Sequence, residues 1–465
     1  PSVPKLPKIG GLAAWTEPVW SVWRGLPSLP LIPITQRFCR KPAVSMNHSP
    51  TNTWRVFKFG GASVKDADAV RNAVSLVEHY GQEPLAVVVS AMAKTTNALE
   101  SVVQALTHGQ SAEAEALLAP VVSFHREVVH QLGLSDTDLP GKLHAHWQSL
   151  LQAAPTPYAA AYDAVVGGGE WASAHILVAA LVQRGLPARW ADARNSIITS
   201  AEHRRASVDF AATTERLAHW PASGIVVTQG FVGATADGVP TTLGREGSDY
   251  TAAVLAHCLE ADEVTIWKDV PGVLSGDPRY FPNPVQLNEI PYREAVELAY
   301  YGASVIHPKT IQPLQAKGIV LRVRSFVAPE LPSTRVGGTE KLEPKVPCFI
   351  RKANQVLVSV CSRDLRFLAE RDLAHLYSQF HAHGAEVNAV QHGATQTSFA
   401  LTHDSLLFPD LLLALQADYR VVYNENLVLY TVRHPDDEAI HWVRAHGDRI
   451  LEQSTRTTFQ ALVRA

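Results

Sequence analysis

The amino-acid sequence predicts an α/β fold, in which a mainly parallel sheet lies between helices in three layers, followed by ferredoxin-like α+β units. Two observations predict the first part. Short apolar strands alternate with helical segments up to about residue 326, and polar or glycine-rich loops follow the strands, where open α/β sheets bind ligands. The second part is predicted by the order strand, helix, strand, strand, helix, strand after residue 350.

Size and composition set limits on the kind of protein. The chain has 465 residues, enough for two or three domains that each bury a core. With 46% hydrophobic and 18% charged residues, it has the composition of a globular protein, and its net charge of -3 favours neither nucleic acid nor a membrane surface as a partner. The apolar runs around Val87 and Ile176 are too short to span a bilayer, so we expect a buried strand and a buried helix there.

The cysteines and the first residues bear on the cellular location. The four cysteines are far apart in the sequence, and their spacing matches neither a zinc site nor a disulfide framework: Cys39, Cys258, Cys348 and Cys361. A reducing cytosol is therefore expected. Residues 1–50 are rich in proline and tryptophan and carry six basic residues against one acid. We interpret this segment as a disordered extension, or as a misassigned start of a protein that begins at Met46. Organelle targeting by residues 1–45 is the less favoured interpretation.

The first strand leads into a candidate phosphate-binding turn. Residues 55–59 form an apolar strand, and a helix is predicted over residues 64–80. The turn between them is not a Walker P-loop, because no Gly-Lys-Ser or Gly-Lys-Thr is present. The Gly60 and Gly61 amides can still bind phosphate beside a helix N-terminus, with the charge of Lys58 at the strand end. Alone, such a turn is more often structural.

Two helix starts follow the next strand, residues 85–90. Residues 95–97 are expected to cap a helix from Ala98, and helices continue to about Gln152. Three glycines then precede Glu170 at the head of an apolar helix. Its carboxylate is either a partner for the helix dipole, the commoner outcome, or a ligand for an ammonium group.

The stretch 241–279 combines two polar loops with a helix and a buried strand at residues 263–267. The first loop places Arg245 and Ser248 beside glycines, where the backbone can approach a ligand closely. Ser248 or Asp249 can cap the following helix. The strand delivers further charged side chains to the same end of the sheet: Lys268, Asp269 and Arg279.

The remainder of the chain contains a pair of helices, a linker and two small units. His307 precedes the second of two helices and is interpreted as structural, and a strand at residues 319–324 closes the α/β unit. Residues 327–349 are rich in Pro, Gly, Lys and Glu and predict a linker. Residues 350–424 form the first ferredoxin-like unit, and residues 425–465 repeat only its first four elements. We expect this truncated unit to complete its sheet with strands from the first unit or another subunit.

Several ordered motifs resemble the aspartate kinases of the amino-acid kinase family. They are KFGG at 58–61, GGGEWAS at 167–173, LGREGSDYTAA at 243–253, IWKDVPGV at 266–273 and DPR at 277–279. The resemblance covers most of residues 54–326 as the kinase domain and extends more loosely to two ACT-like units. The chain departs from the commonest family pattern at five positions: Ala62, Glu246, Lys268, Leu274 and Ser304.

The resemblance implies transfer of the γ-phosphate of ATP to the β-carboxylate of L-aspartate, giving 4-phospho-L-aspartate, the first step toward lysine, threonine and methionine. The attacking carboxylate, with a pKa of about 4, is ionised at neutral pH, so no catalytic base is required. The difficulty is electrostatic, because an anion must approach a polyphosphate.

The family motifs imply a role for each candidate residue. Lys58 and Asp249 are the catalytic candidates, and Asp249 either orients the site or only caps its helix. The ATP-binding candidates are Lys58, Phe59, Gly60, Gly61, Ser63, Lys268, Asp269, Leu274, Arg279 and Ser304. The substrate-binding candidates are Thr96, Glu170, Arg245 and Ser248. Mg²⁺ is expected to be held mainly by phosphates and water rather than by a protein metal site.

Two alternatives remain at this point: another amino-acid kinase, acting on acetylglutamate or glutamate, and a catalytically impaired amino-acid sensor. The resemblance further implies lysine or threonine as a possible effector at the ACT-like units, a homodimer or higher homo-oligomer, and a cytoplasmic enzyme.

Overall fold

The computed structural model describes residues 53–152, 157–303, 306–364 and 366–464, so the segment 1–50 singled out above lies outside the described residues. The strands of the α/β part are β1 (Arg55–Phe59), β2 (Leu85–Val89), β3 (Ala188–Trp190), β4 (Ile225–Gln229), β5 (Val232–Ala234), β6 (Pro240–Thr242), β7 (Glu263–Lys268), β8 (Glu289–Pro291), β9 (Val320–Ser325) and β10 (Thr334–Gly337). Its helices are α1 (Ala67–Tyr80), α2 (Thr95–Thr107), α3 (Ser111–Gln131), α4 (Leu139–Gln152), α5 (Tyr158–Val165), α6 (Gly168–Gln183), α7 (Ala193–Ser196), α8 (Phe210–Leu217), α9 (Gly247–Cys258), α10 (Tyr292–Tyr301) and α11 (Pro308–Lys317).

Eight of these strands form one sheet in the order β3-β4-β2-β1-β7-β9-β10-β8. The six strands from β3 to β9 run parallel, whereas β10 runs antiparallel to β9 and parallel to β8. Because side chains alternate across a strand, Phe57 and Phe59 enter the core on one face and Val56 enters the core on the other. Helices cover both faces, which confirms the predicted three-layer fold.

One apolar segment is longer than expected. The residues Tyr158–Gln183, which include α5 and α6, are long and apolar enough to cross a membrane, and 67% of their most apolar window is buried inside the protein. The expectation that the run around Ile176 is too short to span a bilayer is therefore wrong on length. Ile176 and Leu177 instead pack in the core beside the large sheet, so burial explains the apolar composition.

The C-terminal part forms a second, antiparallel sheet. Its elements are β11 (Cys348–Cys361), α12 (Glu370–Ala382), β12 (Val387–His392), β13 (Gln396–Thr402), α13 (Phe408–Asp418), β14 (Arg420–Arg433), α14 (Asp437–Arg444), β15 (Arg449–Ser454) and β16 (Thr458–Arg464). The strand order is β12-β13-β11-β14-β16-β15, and all neighbouring pairs are antiparallel. The order of strands and helices after residue 350 agrees with the ferredoxin-like pattern predicted from the sequence.

The long strands β11 and β14 join the two small units. The second half of β11 pairs with the first half of β14, and residues 348–352 of β11 pair with residues 429–433 of β14, where β16 continues the sheet. The shortened second unit thus obtains a strand from β11, as the edge argument predicted.

Two boundary predictions are wrong. Residues 327–349 were expected to be a linker, but β10 lies within them and pairs with both β8 and β9 in the large sheet. The helix expected from Ala98 begins at Thr95, whose hydroxyl donates to the Met92 carbonyl at 2.7 Å. In the first case, pairing with distant strands makes the segment part of the sheet, whereas the helix start differs by only three residues and is set by a local hydrogen bond.

Candidate active site

The last residues of β1 place a lysine at the carboxyl ends of the parallel strands of the large sheet. Lys58 lies in register with Val88 of β2 and Ile266 of β7, and the turn continues as a short 3₁₀ helix, Gly61–Val64. A Cβ on Gly61 would lie 2.8 Å from the Ala91 carbonyl oxygen, so the turn is packed directly against the loop after β2. Glycine is required there because the two backbones approach so closely.

Asp249 organises the cations of the site. Its carboxylate is 1% exposed, with Oδ1 2.7 Å from Lys58 Nζ and Oδ2 3.6 Å from Lys268 Nζ. Burial raises the pKa of this carboxyl, but the two ammonium groups more than offset it and hold the pKa below its usual value. Asp249 is therefore ionised and positions both lysines.

The position at which α9 begins shows whether Asp249 caps this helix. The helix begins at Gly247, and its N-cap is Glu246 in the left-handed conformation with φ of 54°. Ser248 and Asp249 thus lie inside the first turn, and the prediction that either residue caps the helix is wrong. The side chain of Asp249 is used instead to pair with the lysines of β1 and β7.

Glu170 is buried at the N-terminal end of α6. Burial raises the pKa of its carboxyl to about 7, and its Oε2 atom has no hydrogen-bond partner among the described residues. A Cβ on the preceding Gly169 would lie 2.8 Å from the Ala91 Cβ, which shows how closely α6 packs on the loop after β2. A buried carboxyl with an unpaired oxygen is suited to receive a cationic group.

These groups line one cleft of about 870 Å³. Seven of the sequence-predicted residues meet there: Lys58, Gly61, Thr96, Glu170, Arg245, Ser248 and Asp249. They come from four separate segments of the chain that converge at the carboxyl ends of the parallel strands. A cleft with an arginine, a lysine and a buried carboxyl can bind a zwitterionic anion and hold phosphate beside it.

A basic loop over this cleft was missed by sequence reasoning. Asp163 has a fully buried carboxylate that accepts from the Arg204 amide and the Thr242 hydroxyl and lies 2.7 Å from His203 Nδ1. The Arg204 guanidinium stacks over Tyr162 at 4.7 Å from the ring centroid. The available signal was the run His-Arg-Arg at 203–205 in a polar loop, all three of which line the cleft.

A second cavity of about 430 Å³ contains the predicted nucleotide residues Asp269, Leu274 and Arg279. Arg279 is largely exposed and forms a bidentate pair with Asp277, with an Nε–Oδ1 distance of 3.0 Å. Lys268 precedes this cavity in sequence and is tied to Asp249 in the first site. Ser304 lies outside the described residues.

Two predicted nucleotide-binding side chains face the core instead. Phe59 is fully buried and stacks on Trp267 with ring centroids 6.2 Å apart and an interplanar angle of 4°. The Ser63 hydroxyl donates to the Trp267 carbonyl at 3.1 Å. Strand alternation and the 3₁₀ turn direct both side chains inward, so neither can reach a ligand in the cleft. His307 is structural, as predicted, because its Nδ1 accepts from the Lys309 amide and caps α11.

Comparison with known proteins places the chain in a family. A model of the amino acid kinase family matches residues 53–325. Lysine-sensitive aspartokinase 3 of Escherichia coli strain K12 is 33% identical over 394 residues, which cover 80% of this chain and 85% of that protein. The chloroplastic bifunctional aspartokinase/homoserine dehydrogenase 1 of Zea mays is 34% identical over 299 residues, which are 61% of this chain and 32% of that protein.

Solved structures agree with the sequence relatives. E. coli aspartokinase III in complex with aspartate and ADP has a TM-score of 0.71 and 29% identity, with 88% of this chain and 96% of that chain covered. The same enzyme in complex with lysine and aspartate has a TM-score of 0.71 and 28% identity, with 89% and 96% covered. The family model spans more than half of the sequence, and the aspartokinase match covers most of both proteins. This chain therefore belongs to the amino acid kinase family, among the aspartokinases.

Proposed function

We propose that the chain transfers the γ-phosphoryl group of ATP to the β-carboxylate of L-aspartate, giving 4-phospho-L-aspartate and ADP. The observation that carries this proposal is the meeting of Lys58, Glu170 and Arg245 in one cleft. A similar E. coli enzyme binds aspartate and ADP, which supports the choice of substrates. The product would enter the pathway to lysine, threonine and methionine.

The aspartate would be held through both of its α substituents. The Arg245 guanidinium is suited to grip the α-carboxylate through two parallel hydrogen bonds, with Ser248 and Thr96 beside it. The buried Glu170 carboxyl would ionise to receive the α-ammonium group, which supplies the partner that its Oε2 atom lacks. This arrangement leaves the β-carboxylate free to react.

The reaction needs charge neutralisation rather than a base. The ionised β-carboxylate attacks the γ-phosphorus, the bond from that phosphorus to the bridging oxygen breaks, and ADP leaves with the electron pair. Lys58 and the amides of the glycine turn would neutralise the transferring group, while Asp249 holds Lys58 in position. Lys268, the second partner of Asp249, would contact the same polyphosphate.

ATP would extend from the first cleft toward the second cavity, where Asp269, Leu274 and Arg279 lie. Among the residues that the structure describes, no group of three His, Cys, Asp or Glu side chains could hold a metal ion. We expect Mg²⁺ to keep several waters and to bind mainly phosphate oxygens, a mode of binding that requires no cluster of protein ligands. When bound, Mg²⁺ neutralises part of the phosphate charge.

A coupled assay of ADP release tests the proposal. The purified chain is offered ATP and Mg²⁺ with L-aspartate, L-glutamate or N-acetylglutamate in separate reactions. We expect turnover with aspartate and less than a hundredth of that rate with the other two. Turnover with glutamate or acetylglutamate instead would assign a different amino-acid kinase, and no turnover with any of the three would favour the sensor alternative.

We also propose that the C-terminal sheet comprises ACT-like units that bind lysine or threonine in a homodimer or larger homo-oligomer. The support is the antiparallel sheet of two joined units and the lysine complex of the E. coli enzyme. The test is activity and thermal stability with each amino acid at millimolar concentration, and no response to either would remove the proposal. A reducing, cytoplasmic location is consistent with free thiols at Cys258, Cys348 and Cys361.

A further inference from the structure

The wall of the second cavity is partly built by the C-terminal sheet. The loop after β7 supplies Asp269, Leu274 and Arg279, whereas β11 supplies Arg351 to the same cavity. β11 begins the antiparallel sheet, and Arg351 lies in register with Tyr430 of β14. One side of the proposed nucleotide site therefore belongs to the C-terminal sheet rather than to the kinase fold.

The loop and the strand are tightly connected. The Phe349 amide donates to the Ser275 carbonyl at 2.6 Å, which joins β11 to the loop by a backbone hydrogen bond. Two residues after Arg279, Phe281 is buried with its ring centroid 5.2 Å from that of Phe349. These contacts hold Arg351 at a definite position relative to the loop.

Arg351 is fixed by an aromatic ring rather than by an acid. Its guanidinium carbon lies 4.5 Å from the centroid of the Tyr280 ring, and no carboxylate lies within ion-pair distance of it in the described part of the chain. Arg279, which is 5.6 Å from the same centroid, is by contrast paired with Asp277. A guanidinium stacked on a ring keeps its N–H edge free, so Arg351 offers this cavity an uncommitted, permanent positive charge.

We propose that Arg351 is a nucleotide-binding residue, with its guanidinium stacked on Tyr280 and its N–H edge on a phosphate oxygen of the nucleotide. This inference rests on the proposed function, which makes the second cavity the nucleotide site. An arginine suits this task because its planar fork matches two phosphate oxygens. Tyr280, whose side chain is 47% exposed, keeps the guanidinium oriented before the ligand arrives.

The test is calorimetric titration of ADP, without aspartate, into wild type, Arg351→Ala and Arg351→Lys. We expect Arg351→Ala to weaken ADP binding about tenfold or more, because one charge-assisted bidentate contact is lost, and Arg351→Lys to recover part of that loss. Adenosine, which lacks phosphate, should bind Arg351→Ala within about twofold of its wild-type affinity. In turnover assays, the KM for ATP should rise while the KM for aspartate stays unchanged.

Matched variants separate the contact from general damage. Arg371→Ala removes an exposed arginine from α12 and should leave ADP affinity unchanged. Tyr280→Phe keeps the ring and should bind ADP normally, whereas Tyr280→Ala should bind it more weakly.

The inference would be overturned by a folded Arg351→Ala with wild-type ADP affinity, or by a wild-type chain that does not bind ADP. An equal loss of adenosine affinity would overturn the phosphate contact. If the wild-type chain binds ADP but does not phosphorylate aspartate, the proposed function fails, and weaker ADP binding by Arg351→Ala would still support this inference.

Discussion

At the scale of single residues, the site depends on a buried carboxylate placed between two lysines. Asp249 is almost inaccessible, and its attraction to Lys58 and Lys268 keeps it charged despite burial. In return, the carboxylate holds the Lys58 ammonium over the glycine turn, where a Cβ on Gly60 would lie 3.3 Å from Nζ. Because the lysines are already positioned, little reorganisation is needed when phosphate binds.

Replacement of Lys58 tests this arrangement. We expect Lys58→Ala to lower kcat at least about a hundredfold, because a cation at the transferring phosphoryl group contributes about 3 to 4 kcal/mol. Circular dichroism should show a retained fold. Lys65→Ala, which removes an exposed lysine just before α1, is the control and should keep normal turnover. Near-normal kcat in folded Lys58→Ala would exclude Lys58 from the chemistry.

The pKa of Glu170 predicts how substrate binding depends on pH. In the free protein this pKa is about 7, and an α-ammonium ligand would lower it by favouring the charged form. The affinity for aspartate should therefore be highest above about pH 7. It should fall as the pH drops below that value, by up to about tenfold per pH unit.

Titration calorimetry of aspartate binding between pH 5.5 and 8.5, at values set about one unit apart, would measure this effect. Binding near neutral pH should also release protons, which two buffers of different ionisation enthalpy would reveal. Glu170→Gln removes the titrating group and should bind more weakly with a flat profile. A flat profile in the wild-type protein would contradict the assignment of Glu170 to the ammonium group.

At the scale of elements, close packing of loops brings the candidate site residues together. Gly61 of the turn after β1 and Gly169 at the start of α6 both approach Ala91 in the loop after β2. Three segments thus meet around one residue, and a Cβ at either glycine would lie 2.8 Å from an atom of Ala91. A side chain at either position would therefore force these segments apart.

Gly61→Ala should separate two of these segments. The added Cβ would contact the Ala91 carbonyl, a backbone atom that cannot rotate away, so the turn must shift. We expect at least a tenfold lower kcat/KM and a loss of about 1–3 kcal/mol in the free energy of unfolding. Gly141→Ala in α4 is the matched control, since no atom lies within 4 Å of its added Cβ. That variant should be unchanged or slightly more stable.

At the scale of the whole molecule, a buried ion pair joins the kinase fold to the C-terminal sheet. Arg433 of β14 donates to Glu294 of α10 through two bonds of 2.9 and 2.7 Å, and both side chains are less than 10% exposed. His434 Nε2 lies 3.2 Å from the same carboxylate. Although burial raises the pKa of Glu294, hydrogen bonds from His434 and Arg433 lower it to about 2.

Removal of one partner of this ion pair should destabilise the fold. We expect Arg433→Met to lower the free energy of unfolding by about 3–5 kcal/mol, because the buried Glu294 carboxylate loses both hydrogen bonds from the guanidinium and keeps only His434 beside it among the described residues. The double variant Glu294→Leu/Arg433→Met should recover much of that loss, since no charge remains to be buried. Urea unfolding followed by tryptophan fluorescence would measure both variants. Equal stability of Arg433→Met and wild type would contradict a structural role for the pair.

The same pair predicts the response to acid. A carboxyl with a folded pKa below its usual 4.5 stabilises the fold above that value, and the contribution is lost as the pH falls through 4.5 toward about 2. Glu294→Gln should therefore show a weaker loss of stability over this interval. Unfolding midpoints at several pH values for both proteins would test the prediction, and parallel curves would contradict it.

Local patterns were sufficient to predict much of this molecule. Alternating apolar strands and helices indicated the parallel sheet, and glycines beside charged residues indicated loops that line the cleft. Seven of the predicted site residues share one cleft, because polar loops at the carboxyl ends of parallel strands meet at one edge. The order of strands and helices along the C-terminal part of the chain was likewise predicted from residue types.

Contacts between distant residues decided the remainder. The partners of Asp249 lie on β1 and β7, so no local rule could distinguish a helix cap from a lysine partner. Segment 327–349 resembled a linker in composition, yet β10 within it pairs with two strands of the large sheet. Residue types and their spacing thus determined the elements and the chemistry they carry, whereas packing alone decided which groups became neighbours, because burial and pairing energies depend on distance in space rather than along the chain.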